Sequence, residues 1–150
     1  MKYISLIAGT AAITAASFAM ADSHEEVNPA VTARQSHMQL YAYNLGILGG
    51  MAQGKIDYDA EAAQTAADSM VALTSMNTAS YWPEGTAEGT KAQPAIWENL
   101  DDFMSKGEDL AFEVEGMADV AGTDLASLQG AMGNLGGTCS ACHREYRARD

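Results

Sequence analysis

Gly137-Thr138-Cys139-Ser140-Ala141-Cys142-His143-Arg144-Glu145-Tyr146-Arg147 is the stretch on which the reading of this chain turns. It holds both cysteines of the protein, and Cys139-x-x-Cys142-His143 has the spacing that attaches a c-type haem. Two thiols can add to the two vinyl groups of the porphyrin while the adjacent imidazole reaches the iron. On a helix the three residues occupy i, i+3 and i+4, so they project from one face. Two other uses of such cysteines fit less well. A thioredoxin-like redox pair opens a helix after a strand, and no strand pattern precedes this one. A structural zinc needs about four ligands, and His24 and His37, the other two histidines, lack finger spacing.

Working outward, the apolar stripe that leads into the motif is Leu125, Leu128, Met132, Leu135, Cys139, Cys142 and Tyr146, advancing by threes and fours. The haem motif therefore falls in register with the core face of a last helix. Thr123 reads as its N-cap, with Asp124 in the first turn. Gly133, Gly136 and Gly137 each weaken that helix by roughly 1 kcal/mol relative to alanine, and they leave room for a large flat group or a close neighbour.

The same stepping recurs upstream. Pro94 starts a third helix with Ile96, Leu100, Phe103, Gly107, Leu110, Val114 and Met117 inward. Residues 77–93 carry Pro83, Gly85 and Gly89 without a helical period, which predicts a loop packed over the core by Tyr81 and Trp82. An alanine-rich second helix over 60–76 follows Asp57 and Asp59, burying Ala63, Ala66, Met70 and Leu73. The first helix opens at Asn28-Pro29, presents Val31, Arg34, Met38, Tyr41, Leu45, Leu48 and Ala52, and ends near Gln53-Gly54. Four amphipathic helices and no strand pattern predict an all-α, up-down-up-down antiparallel four-helix bundle with a covalent haem between facing helices.

The amino terminus has Lys2, an apolar run through Ile13 and an Ala19-Met20-Ala21 site, the organisation of a secretory signal peptide over 1–21. Its apolar part is too short to read as a membrane anchor. The mature chain, 22–150, is then one domain. Removing Lys2 and no acid moves the formal charge from −12 to −13. Such acidity argues against nucleic acid and anionic membrane as partners and favours a basic protein or a small neutral ligand. Haem attachment of this kind occurs outside the cytoplasm, so export and the motif agree on a periplasmic location.

Taken together, the C-terminal Cys142-His143-Arg144-Glu145-Tyr146-Arg147, Arg34-Gln35 in the first helix, Trp82-Pro83-Glu84-Gly85-Thr86 in the loop and Pro94-Ala95-Ile96-Trp97 resemble cytochrome c′, a family of exported bacterial four-helix haem proteins. The resemblance spans essentially the whole mature chain. It implies thioether bonds from Cys139 and Cys142, His143 as proximal iron ligand, Arg34 and Gln35 at a haem propionate, and Arg147 on the proximal side. It also implies a homodimer through the first two helices, although composition allows a monomer equally.

The resemblance leaves the sixth iron position open to two readings. Met38 stands where the family usually has an apolar residue that leaves iron five-coordinate; a related low-spin group uses a first-helix methionine as sixth ligand. Arg34-Gln35-Ser36-His37-Met38 is more similar to the high-spin members. The expectation is therefore one haem c per chain that binds nitric oxide and carbon monoxide at an apolar distal site and undergoes one-electron redox with a partner protein. The alternative is an electron-transfer cytochrome with Met38 as axial ligand. His37, one position off the inward stripe, is expected at the surface or an interface. Tyr41, Leu45, Leu73, Trp82 and Phe103 are expected to line the distal pocket. No distal His/Arg pair of peroxidase type is apparent, and no residue is assigned a catalytic role.

Overall fold

Asn28 starts the first helix by accepting the amide of Ala30 on its side-chain oxygen at 2.9 Å, with Pro29 in the first turn. This is α1, Pro29–Ala52. The chain reverses at Gly54, whose φ of +68° is the left-handed conformation glycine adopts without penalty. In this computed structural model, which describes residues 27–149, α2 is Ala60–Thr74, followed by a 3-10 turn at Ala79–Tyr81. Then come α3, Ala95–Glu98, α4, Leu100–Ala118, and α5, Leu125–Tyr146. The expected signal peptide over 1–21 lies outside the described residues.

The second helix stops at Thr74, short of the expected residue 76, and two other boundaries differ from the sequence expectation. The third helix is broken at Asn99 (φ −135°, ψ 50°), whose side-chain amide donates back to the carbonyl of Ala95 at 3.3 Å and competes with continued helix. The last helix is capped by Asp124 rather than Thr123: the carboxylate accepts the amide of Ser127 at 2.8 Å.

The four long helices form a ring of neighbours, α1 beside α2 and α5, and α4 beside α2 and α5. Leu48, Met70, Val114, Met117, Leu128 and Leu135 are fully buried between them, each contributing about 1.5–3 kcal/mol by leaving water. Ala63, Ala66 and Ala67 of α2 let the neighbouring helices approach closely. At one end Gln64 donates to the carbonyl of Ala118 at 2.9 Å and accepts the amide of Gly122 at 3.2 Å. A Cβ on Gly122 would lie 2.8 Å from the Gln64 oxygen, so a side chain here would push Gln64 off these two bonds.

At the other end the segment between α2 and α4 closes over the bundle. The amide of Gln93 donates to the carbonyl of Tyr146 at 3.0 Å, that of Ala148 to the carbonyl of Lys91 at 2.8 Å, and Ala92 and Arg147 form an isolated antiparallel bridge. These bonds tie the loop to the end of the helix that carries Cys139, Cys142 and His143.

Candidate functional site

Burial along the two facing helices lapses at one level. On α1, Val31 and Arg34 are buried, Met38 is 45% exposed, Tyr41 and Leu45 are half-buried, and Leu48 is buried again. On α5, Leu128 and Leu135 are buried, Cys139 and Cys142 are half-buried, His143 is exposed, and Tyr146 is buried again. The two lapses face each other. Tyr41 feels the charge of Cys139: its hydroxyl is pushed up to about 12, first by burial and then by that thiol. Among the four neighbouring pairs of long helices, α1 and α5 pack least closely.

That interruption is the test of fit for a porphyrin. Exposed Met38 and half-buried Tyr41 and Leu45 line one side, and two thiols and an imidazole in helical register line the other. A Cβ placed on Gly133, Gly136 or Gly137 would meet no atom within 4 Å. The residues therefore suit a flat, apolar, covalently held group. A zinc reading has no support among the described residues, where no three His, Cys, Asp or Glu side chains converge on a metal position.

Electrostatics agree with the chemistry each group would perform. Burial pushes both thiols up, and Cys142 is raised further by the Cys139 charge, so each stays protonated until it reacts. Partial burial, and then the nearby Arg147 cation, lower the His143 pKa and favour the neutral imidazole that ligates metals. Arg147 itself is exposed at the helix end.

Arg34 is buried on the inward stripe as expected, with partners in the loop that the sequence did not foresee. Only 4% exposed, its guanidinium donates to the hydroxyl of Thr86 at 2.7 Å, the carbonyl of Thr86 at 2.5 Å, the carbonyl of Tyr81 at 3.3 Å and the hydroxyl of Thr90 at 3.4 Å. It also lies 4.8 Å over the Trp82 ring. Its side chain thus organises the closing loop, while the adjacent Gln35 is exposed.

The surface placement expected for His37 is corrected. It is 6% exposed, edge-on to Tyr41 at 4.7 Å and to Tyr81 at 6.0 Å, with its Nε2 buried and unpartnered. The cause is the 3-10 turn Ala79–Tyr81, which covers this flank of α1; burial lowers the His37 pKa. Trp82 and Phe103, expected with Tyr41, Leu45 and Leu73 around the pocket, form a column with Tyr146. Trp82 meets Phe103 edge-on at 4.6 Å, and Phe103 meets Tyr146 at 5.2 Å.

Sequence reasoning missed the group beyond that column. The Tyr146 hydroxyl donates to Asp102 at 2.5 Å, and the other oxygen of Asp102 pairs with Lys106 at 3.3 Å. The i, i+4 spacing of Asp102 and Lys106 was a readable signal; the tyrosine 44 residues away was not. No helix among the described residues is long and apolar enough to cross a membrane.

Comparison with known proteins bears on the same residues. A family model described as Cytochrome C′ matches residues 29–147. A cytochrome c-554 of Cereibacter sphaeroides is 45% identical over 129 residues, covering 83% of this chain and 97% of its own. A solved cytochrome c prime from Shewanella frigidimarina superposes with a TM-score of 0.76 at 32% identity, over 83% of this chain and 98% of its own. A nitric oxide complex of a cytochrome c prime variant from Alcaligenes xylosoxidans gives 0.71 at 30% identity, over 81% and 95%.

Proposed function

Because the chain belongs to the cytochrome c′ family and is accordingly a protein of covalently bound haem c, we propose that it is a periplasmic haem protein whose iron keeps an open sixth position for nitric oxide and carbon monoxide. Cys139 and Cys142 hold the porphyrin by thioether bonds, and His143 ligates the iron. Bound haem supplies a metal that changes charge by one electron and binds small diatomic ligands. The protein's own part is to exclude water and to set what faces the iron.

The single observation that carries this reading is the matched lapse in burial, apolar on the α1 side at Met38, Tyr41 and Leu45. His37, the nearest imidazole on α1, is turned under Tyr41 and Tyr81. A site so lined admits uncharged diatomics, with the protonated Tyr41 hydroxyl as its polar edge. The nitric oxide complex of the Alcaligenes relative supports the same ligand class. Arg34 and Gln35 are assigned to the propionate side of the haem and Arg147 to the proximal side, with Arg34 also holding the loop.

One observation favours a second reading. Met38 is 45% exposed and unconfined, so its thioether can swing onto iron as a sixth ligand, which would make the protein an electron-transfer cytochrome. Optical spectra of the ferric and ferrous protein, with and without carbon monoxide, separate the two. An open site gives a high-spin ferrous spectrum that the gas shifts; a low-spin spectrum unmoved by it overturns the first reading. Met38→Ala sharpens the result: it accelerates carbon monoxide entry into an open site and converts a methionine-ligated iron from low to high spin.

Dimerisation is assigned to the α1–α2 face, where Leu40 and Tyr43 are exposed. There an open cleft of about 400 Å³ is lined by Tyr43, Asn44 and Ile47 of α1 and Glu61, Thr65 and Ser69 of α2.

A further inference from the structure

The column Trp82–Phe103–Tyr146 and the Asp102–Lys106 pair at its end are not used by ligand binding. Tyr146 lies one helical turn after Cys142 on the same face of α5, so its ring would adjoin a haem held by that thiol. The ring is 3% exposed, yet its hydroxyl reaches a carboxylate that is half-exposed to solvent. At 2.5 Å this is a short, charge-assisted O–H···O⁻ bond. A buried phenol with a proton acceptor already in place has the structure of a group that loses an electron and a proton together. Phe103 then bridges it to Trp82 at the half-buried loop.

We infer that Tyr146, with Asp102 as its proton acceptor, is a redox-active site that draws oxidising equivalents of hydrogen peroxide away from the haem and passes them towards Trp82. The inference rests on the haem attachment proposed above. An open iron position admits peroxide as well as diatomics. No distal acid–base pair is apparent among the described residues, and the ring column offers the oxidising equivalents a path out through the protein. Left near the iron they would convert Met38 to its sulfoxide.

The balance closes with the side chains present. The O–O bond of H₂O₂ breaks and two waters form. Tyr146 supplies one electron and its hydroxyl proton, and Trp82 supplies one electron and its indole N–H proton. The Tyr146 proton moves to Asp102 and from there to solvent, the Trp82 proton leaves to water at the half-buried loop, and two protons taken from solvent complete the two waters; two neutral aromatic radicals remain. Lys106 holds the Asp102 carboxylate in line.

The test is freeze-quench electron paramagnetic resonance of the ferric holoprotein mixed with hydrogen peroxide, after covalent haem has been verified by the mass of the intact chain. A tyrosyl radical signal is expected in the wild type. Tyr146→Phe, which keeps the ring column, should remove most of it and raise Met38 sulfoxide in the peptide digest. Asp102→Asn keeps a hydrogen-bond acceptor but cannot take the proton, and should slow appearance of the radical on the order of 100-fold. A tyrosyl signal that survives Tyr146→Phe, or a rate unchanged in Asp102→Asn, overturns the inference, as does a haem-loaded wild type without any tyrosyl signal. A chain found without covalent haem overturns the attachment reading and this inference with it.

Discussion

Arg34 illustrates how one side chain can hold a whole loop. Four hydrogen bonds and a cation–π contact commit its guanidinium to Tyr81, Trp82, Thr86 and Thr90. Removing it leaves two carbonyls and two hydroxyls without their charged donor. Arg34→Ala should therefore cost roughly 2–3 kcal/mol and expose the 77–93 loop to proteolysis, measured by urea denaturation and limited trypsin digestion. Arg34→Lys should recover little, because an ammonium is a point charge without the planar fork that reaches several acceptors at once. Full recovery by lysine would mean that charge alone, rather than the clamp, is what the loop needs.

Among the elements, α5 carries both the core stripe and the haem motif, and its start depends on Asp124. The backbone amide of Ser127, then its hydroxyl, holds the Asp124 carboxyl below the usual aspartate value. With the folded pKa depressed, the stabilisation is fully present above the unfolded value of about 3.9. It is lost as pH falls through the lower folded value, where the native state must also take up the proton. Asp124→Ala should therefore lower the thermal midpoint at neutral pH, and the gap to wild type should narrow as pH drops below about 4. A gap unchanged by acid would show that the cap acts through shape alone. The broken third helix is the counterpart: Asn99 ends α3 early, so that the Trp97 indole N–H can donate to the carbonyl of Trp82 at 3.0 Å and pin the loop.

At the scale of the molecule, a formal charge of −12 disperses copies of the chain while the α1–α2 face offers them an apolar patch. Tyr43 is 70% exposed there. In a two-fold interface each residue appears twice, so Tyr43→Glu places two carboxylates in the contact. Sedimentation equilibrium should find a wild-type dimer and a Tyr43→Glu monomer with an unchanged haem spectrum. A monomeric wild type removes the assignment. Self-repulsion also makes the wild-type dimer tighter as ionic strength rises.

Periodicity and local covalent chemistry were legible from residues alone. The three-four stepping of Leu125, Leu128, Met132 and Leu135 announces a helix whose inward face continues into Cys139, and the Cys-x-x-Cys-His spacing announces the group it carries, because both depend on neighbours within a turn or two. Four such stripes leave a bundle as the way to bury them. Other features depended on the closing loop, whose path no local propensity dictates. Arg34 meets Thr86 across 52 residues and Tyr146 meets Asp102 across 44. His37 is buried because a 3-10 turn, read only as loop, lies against it. Long-range pairing of this kind is set by how the packed helices leave room for the chain between them, and that room exists only once the bundle has formed.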